Sequence, residues 1–344
     1  MHPLAGDLDH VLAHTAGVWD ELRGARIFVT GGTGFFGCWL LESWVWAWER
    51  RDIDGSLTVL TRSADGFRRK APHLASHPGI RLVEGDVRSF GLPGASFTHV
   101  IHLASDATPQ LCLERPLVVL DTIVDGTRRV LDLAVESGAK RLLFTSSGAV
   151  YGPQPRDLSH MPETYTGGPD VTEQQWVYAE AKRTAEMLCT VYGRGRQVEC
   201  VAARCFAFVG PGLPLDAHFA IGNFIRDRSA GRPIRVHGDG SAVRSYLYAA
   251  DLAIWLWTLL VAGAPGRPYN VGGERAVSIA ELARMVAGGG PVETAGTPVP
   301  GRLPERYVPS CERARTELKL KELIPLEDAI RRTMPAQRAK EATL

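Results

Sequence analysis

Tyr178 and Lys182 stand four residues apart in the run Tyr178-Ala179-Glu180-Ala181-Lys182. If that run is helical, both side chains share one face a single turn apart. A phenol and an ammonium so placed suit hydride chemistry at a carbinol carbon, where a proton must leave or join the attached oxygen. A free phenol titrates near pH 10 and is a poor base at neutrality, so it needs a nearby cation. Lowering its pKa by about three units takes about 4 kcal/mol. Upstream, the apolar run Leu142–Thr145 delivers Ser146-Ser147-Gly148-Ala149-Val150-Tyr151-Gly152. Ser147 there could hydrogen-bond the same substrate oxygen and orient it. Ser147, Tyr178 and Lys182 are the candidate catalytic residues.

A hydride carrier has a candidate site near the start of the chain. Ile27-Phe28-Val29-Thr30 runs directly into Gly31-Gly32-Thr33-Gly34-Phe35-Phe36-Gly37 and then a helix-compatible stretch. Glycines at 31, 34 and 37 let the backbone turn tightly and approach a pyrophosphate, whose charge meets the helix N-terminus. A strand before and a helix after are the context that distinguishes a nicotinamide dinucleotide site from a glycine-rich turn. An acid at the end of the second strand would bind the ribose hydroxyls of NAD, whereas an arginine accommodates the 2′-phosphate of NADP. No acid occurs between Leu57 and Ala64, and Arg62 is placed to serve. NADP(H) is therefore favoured over NAD(H). Arg68-Arg69-Lys70 could assist the same phosphate. Asp86 and Val87, after the third strand, are candidate adenine contacts. Leu103, Ala104 and Ser105, after the fourth, would run beside the phosphates, and Thr145 closes the fifth.

These residues need a scaffold, and the pattern supplies one. Continuous apolar strands at Ile27–Thr30, Leu57–Thr61, Arg81–Glu84, Val100–Leu103, Leu142–Thr145 and Val198–Arg204 suit a parallel sheet covered on both faces. Helical stretches such as Leu117–Ser137 alternate with most of them. The expected fold is α/β, a Rossmann-type doubly wound parallel sheet with a smaller C-terminal substrate lobe. We divide the chain into an N-terminal helical extension (1–24), a dinucleotide-binding domain (25–204 plus about 246–264), a substrate lobe (205–245 and 265–334) and a tail (335–344). Residues 4–24 read as one amphipathic helix. Four tryptophans between Phe36 and Arg50 suit the core or a dimer surface.

Composition narrows the function classes. The chain has 344 residues with 45% hydrophobic and 22% charged, values of a globular protein. A net charge of +1 gives no general drive toward nucleic acid or anionic membrane. Six cysteines without a C-x-x-C pair suit reduced buried thiols. Met1 to Asp20 has no basic region followed by an apolar run, and Leu252–Ala264 is too short to cross a bilayer. A cytoplasmic location is expected. His73 and His77 have the i, i+4 spacing of some metal ligands but no third ligand nearby in sequence, so they are read as a solvated face.

The motifs together resemble the extended short-chain dehydrogenase/reductases of the NAD-dependent epimerase/dehydratase family, which modify nucleotide-diphosphate sugars. The matching pieces are TGGTGFFG (Thr30–Gly37), GDV (Gly85–Val87), HLAS (His102–Ser105), SSGAVYG (Ser146–Gly152), YAEAK (Tyr178–Lys182) and VHGDGSAVRSYLYAADLA (Val236–Ala253), from Thr30 to about Leu318. The resemblance implies a Ser147–Tyr178–Lys182 catalytic set. It also implies diphosphate contacts at Asn223 and Arg244, a base contact at Val236, a late diphosphate-binding arginine at Arg302 or Arg306, and a homodimer built on the helix bearing Tyr178.

Departures from the family pattern narrow the chemistry. The 4,6-dehydratases carry an Asp-Glu pair after the catalytic hydroxyl residue, and the decarboxylases a Glu in that stretch; here Gly148-Ala149 stand instead. The family's usual sugar-contact positions hold Ala207, Ser245 and Thr122-Ile123. The expected activity is therefore NADPH-dependent reduction of a 4-keto-sugar nucleotide, with NAD-dependent C4 epimerisation as the alternative and a non-catalytic cofactor sensor as a remote one. Asp106 could act as an extra acid, though an exposed loop carboxylate is the simpler account.

Overall fold

The computed structural model describes residues 2–341 except 52, 92, 93, 95, 106, 107, 197, 218, 300 and 302. It divides into two compact units. The first holds Met1–Val150, Pro169–Arg204 and Ala253–Tyr269, and the second Tyr151–Gly168, Cys205–Leu252 and Asn270–Leu344.

In the first unit, helices α1 (Ala5–His14) and α2 (Ala16–Glu21) precede strand β1 (Arg26–Thr30) and helix α3 (Phe35–Arg51). Then come β2 (Ser56–Thr61), α4 (Ala64–Lys70), α5 (Pro72–Ala75), β3 (Ile80–Glu84) and β4 (His99–His102). After these follow α6 (Pro109–Glu114), α7 (Pro116–Glu136), β5 (Arg141–Ser147), α8 (Val177–Arg196) and β6 (Glu199–Cys205). A seven-stranded sheet runs in the order Pro268–Val271, β6, β5, β4, β1, β2, β3. The pairs β1–β2, β1–β4, β2–β3 and β4–β5 are parallel. The chain winds outward from β1 through β2 and β3, then returns to the other side of β1 at β4. That reversal is where ligands bind in open α/β sheets, beyond the carboxyl ends of the strands. Ile27, Phe28 and Val29 are all buried, as the continuous apolar run predicts.

Two sequence expectations differ from the structure. Strand β5 continues through Ser147, because the ladder is a backbone property and does not stop where side chains turn polar. Residues 4–24 form two helices, interrupted at Thr15. The Thr15 hydroxyl donates to Val11 O at 2.6 Å and accepts from Trp19 Nε1 at 2.8 Å, offering the backbone an alternative to a continuous helix. The interruption turns Trp19 into the core, where its ring lies 5.3 Å from that of Trp257 and 6.4 Å from that of Trp44. Trp257 Nε1 donates to Ser43 Oγ at 2.8 Å. Burying such a ring contributes about 1.5–3 kcal/mol, which fastens the N-terminal helices to α3. The tryptophans of α3 thus divide: Trp39 and Trp44 are buried, while Trp46 reaches Asp9 at 2.8 Å.

The second unit is built from short ladders. Val243–Arg244 pairs antiparallel with Val277–Ser278 and parallel with Arg306–Tyr307. Ile234–Val236 pairs with Val292–Thr294, and Phe208–Val209 with Leu247–Tyr248. Asn270 ties the segment Tyr151–Gly168 into this unit: its side chain accepts from Tyr151 Oη at 2.8 Å and donates to Met161 O at 2.8 Å, while its amide donates to Glu163 at 3.0 Å.

Candidate active site

Strand β1 ends in a loop in which geometry requires glycine at 31 and 37. Gly31 has φ +69, and a Cβ there would lie 2.7 Å from Ala104 N. A Cβ on Gly37 would lie 2.4 Å from the backbone of Gly32, so α3 can seat on the loop only with glycine there. Gly34 differs: its Cβ would meet only Gly31 O, at 3.4 Å. That side of the loop is open, beside the first turn of α3, where Phe35, Phe36 and Gly37 lie. This cradle fits a pyrophosphate. The close approach of Gly31 to Leu103 and Ala104 brings the loop after β4 alongside it, with Ser105 exposed beyond.

Cations gather by the second strand end. Arg62 is exposed at the end of β2, and Lys70, from α4, donates to Thr33 O in the glycine loop at 2.7 Å. The neighbouring acid Glu84, in register with Thr61, accepts the Ala64 amide at 3.0 Å and so serves the start of α4. Asp86 is gripped by Arg88, with Nε to Oδ1 at 2.9 Å and Nη2 to Oδ2 at 2.8 Å. These bonds, with a smaller contribution from the charge of Arg62, hold the Asp86 carboxyl down to about 2. Val87 packs into the core, and a Cβ on Gly126 of α7 would lie 2.9 Å from it.

Ser147 closes β5 and accepts the Ala149 amide at 3.1 Å, which leaves its hydroxyl hydrogen to donate. Tyr178 and Lys182 lie in the first turns of α8, which packs against β5 and α7. Lys182 is fully buried; its Nζ donates to Thr145 O at 2.7 Å and lies 5.9 Å from the ring centroid of Tyr178. A buried ammonium is therefore held by the strand that carries Ser147, beside the phenol ring.

His102 is a residue whose part the sequence reading missed. Fully buried at the end of β4, its ring spans Thr30 Oγ1 at 2.6 Å and Thr127 Oγ1 at 3.1 Å. Thr145 Oγ1 donates to His102 O at 3.1 Å, and Ala104 N donates to Thr30 Oγ1 at 3.2 Å. The ends of β1, β4 and β5 are thus cross-linked beneath the glycine loop and Lys182. Burial, and then the Lys182 charge, push this imidazole down to about 3 from an ordinary 6.5, and burial drives His99 down to about 4. Both stay neutral in the folded chain while the unfolded chain binds protons below 6.5. Stability is therefore complete above that pH and declines as pH falls, until the folded imidazoles titrate near 4 and 3. Glu322, raised to about 7 by burial and by Asp251, acts oppositely: its contribution is full below 4.5 and is lost as pH rises through 7. Urea midpoints at neutral pH and at pH about 5 should fall more in the native chain than in His102→Gln. Equal falls would remove His102 as the source.

The residues expected to hold a diphosphate or base lie in the second unit. Asn223 is half-buried on helix Ala220–Ser229, and Val236 is buried at the end of its strand. Arg244 Nη2 pairs with Glu305 at 3.3 Å. Arg306 pairs in register with Val243, one step from Arg244; Arg302 and Asp106 lie outside the described residues. Of the altered family positions, Ile123 and Ser245 are buried, and Ala207 O accepts the Leu247 amide at 3.0 Å.

The model of the NAD-dependent epimerase/dehydratase family matches residues 27–272. The chain belongs to this family. It is 35% identical over 262 residues to UDP-glucuronic acid decarboxylase 1 of Arabidopsis thaliana, covering 76% of this chain but 57% of that protein. UDP-glucuronic acid decarboxylase 1 of Xenopus tropicalis is 30% identical, over 90% of this chain and 71% of that one. Among solved structures, the fold matches a dTDP-glucose 4,6-dehydratase from Streptomyces venezuelae solved with NAD (TM-score 0.78, 23% identity, covering 92% and 98% of the two chains). It matches UDP-glucose 4-epimerase from Thermotoga maritima solved with UDP-glucose equally well (TM-score 0.78, 21% identity, 92% and 99%). The likeness to these solved structures is one of fold, a Rossmann-like sheet. No helix among its described residues is long and apolar enough to cross a membrane.

Proposed function

We propose that this enzyme reduces a 4-keto-sugar nucleotide with NADPH. The observation that carries the reading is the stretch after Ser147, where Gly148 and Ala149 stand and no carboxylate follows. Elimination of water or loss of CO₂ needs an acid or base there, so dehydration and the decarboxylation named for the relatives lack their group. Simple hydride transfer does not need one. Bound NADPH would supply the hydride to the carbonyl carbon. Tyr178 donates its phenolic proton to the carbonyl oxygen, Lys182 stabilises the phenolate that results, and Ser147 hydrogen-bonds the same oxygen to fix its orientation. Asn223, Val236, Arg244 and a late arginine are the proposed sugar-nucleotide contacts.

Arg62 at the end of β2, with Lys70 held at the glycine loop, supports the 2′-phosphate of NADP. Arg62→Ala should weaken NADPH binding roughly 10–150-fold, the worth of one charge-assisted hydrogen bond at 1.5–3 kcal/mol, and leave NADH nearly unchanged. Paired fluorescence titrations read this directly. NADPH oxidation with 4-keto-sugar nucleotides tests the reaction itself. NAD⁺ retained through purification, with no preference for NADPH, would overturn the reductase in favour of an epimerase that recycles its cofactor in place.

The enzyme is also proposed to be a homodimer. Leu117 on α7 and Met187 and Val191 on α8 are exposed at 69%, 63% and 57%, an apolar face suited to a second copy. Sedimentation at twice the 37.4 kDa chain mass is expected, and a monomer at micromolar concentration would remove this reading.

A further inference from the structure

We propose that His2, Glu42 and His73 bind a divalent transition-metal ion of the zinc class, which clips the N-terminal segment to the outer helices of the first unit. These three residues come from places the sequence keeps apart. His2 precedes α1, Glu42 lies on α3 two turns past the glycine loop, and His73 lies in α5. Among the described residues, they form a group whose ligand atoms all lie within 4.8 Å of one another. His73 Nε2 lies 2.8 Å from Glu42 Oε1 and His2 Nε2 lies 3.3 Å from Oε2. The two rings are 5.6 Å apart and tilted by 59°, so they converge on the two oxygens of one carboxylate.

Two imidazoles and a carboxylate are a familiar ligand set for zinc, with a fourth position open to water. Metal–ligand bonds of about 2.0–2.2 Å place ligand atoms roughly 3.4 Å apart in a tetrahedron. The His2–Glu42 separation of 3.3 Å already lies near that figure, whereas the 2.8 Å His73–Glu42 contact must lengthen by about 0.6 Å and the two imidazoles must turn toward a common point between them. The carboxylate side chain is 13% exposed, and the Trp46 ring stands 5.8 Å from that of His2. Coordination through Nε2 puts the ring proton on Nδ1. In His2 this gives up a 3.2 Å contact in which Nδ1 accepts the Leu4 amide. His77, paired with His73 by spacing alone, takes no part: it lies edge-on to Trp48 at 4.9 Å. The two partners that His73 lacks in the local sequence, His2 and Glu42, are supplied by the fold.

The test uses full-length protein without a histidine tag, freed of metal with a chelator and titrated with Zn²⁺ against a chromogenic competitor. One equivalent should bind and raise the melting temperature. His73→Ala and Glu42→Gln should each weaken binding by about 10–100-fold or more, since losing even an outer partner of a metal ligand costs that much. His77→Ala should bind as the native chain does. His73 is half exposed, so its replacement leaves the fold intact, and NADPH binding should persist in every variant. Absence of stoichiometric binding, or equal affinity in His73→Ala and Glu42→Gln, overturns the site and leaves a hydrogen-bonded His–Glu–His cluster.

Discussion

Tyr178→Phe is expected to lower kcat by roughly 10²–10⁴-fold, the usual worth of a positioned general acid or base, while leaving cofactor affinity within a few-fold. The variant removes one oxygen and keeps the ring that packs by Lys182 Nζ, so folding should be undisturbed and the melting temperature nearly unchanged. Hydride transfer to a carbonyl without a positioned proton donor leaves an alkoxide to be protonated by water, and that step carries the penalty. A rise in KM alongside an intact kcat would place Tyr178 in substrate binding and not in proton transfer. The measurement is single-turnover oxidation of NADPH with saturating 4-keto-sugar nucleotide, which separates chemistry from release of product.

Much of this arrangement is legible from the sequence, for identifiable reasons. Strands buried on both faces must be largely apolar, so the central stretches of β1, β2 and β5 stand out from their neighbours. Glycines that are sterically required, such as Gly31 and Gly37, leave a spacing that can be read directly. Tyr178 and Lys182 are visible because a helix places positions four apart on one face. What escapes is contact between residues distant in the chain. His102 meets Thr30 across 72 positions and Thr127 across 25, and nothing local distinguishes it from any histidine at a strand end. Arg88 lies two residues from Asp86, close enough to read, yet the pairing depends on how the chain turns after β3. The break at Thr15 and the attachment of Tyr151–Gly168 through Asn270 are tertiary decisions too. The altered positions Ala207, Ser245 and Ile123 follow the same rule: the sequence shows that the residues differ from the family's usual ones, and only the fold shows that Ile123 and Ser245 lie buried.

The same distinction separates this chain from its relatives. Its resemblance to UDP-glucuronic acid decarboxylases runs through the shared scaffold, whereas the reaction is decided by a few side chains at strand ends. Ser147 keeps its place at the end of β5, and the Ala149 amide donates to its hydroxyl. The next two positions, Gly148 and Ala149, offer only a hydrogen and a methyl group, which suits the proposed hydride transfer.

Lys182→Met should have the second large effect, and its pH dependence identifies the cause. Assayed as oxidation of a carbinol, the productive form of the phenol is the base, so the rate rises with pH as the phenol ionises. Removing a positive charge from beside the ring disfavours that anion and moves the rise to higher pH. With a displacement of about three units, the loss at neutral pH is about 10³-fold and shrinks toward pH about 10. Methionine nearly matches the buried lysine in length, and replacing a buried charge by an apolar chain of similar volume is often tolerated. Thr145 O loses its donor, a cost of about 1–3 kcal/mol, so the melting temperature should drop without loss of the fold. A deficit equal at every pH would instead assign Lys182 to holding the cofactor, and the proton would then need a different route out of the site.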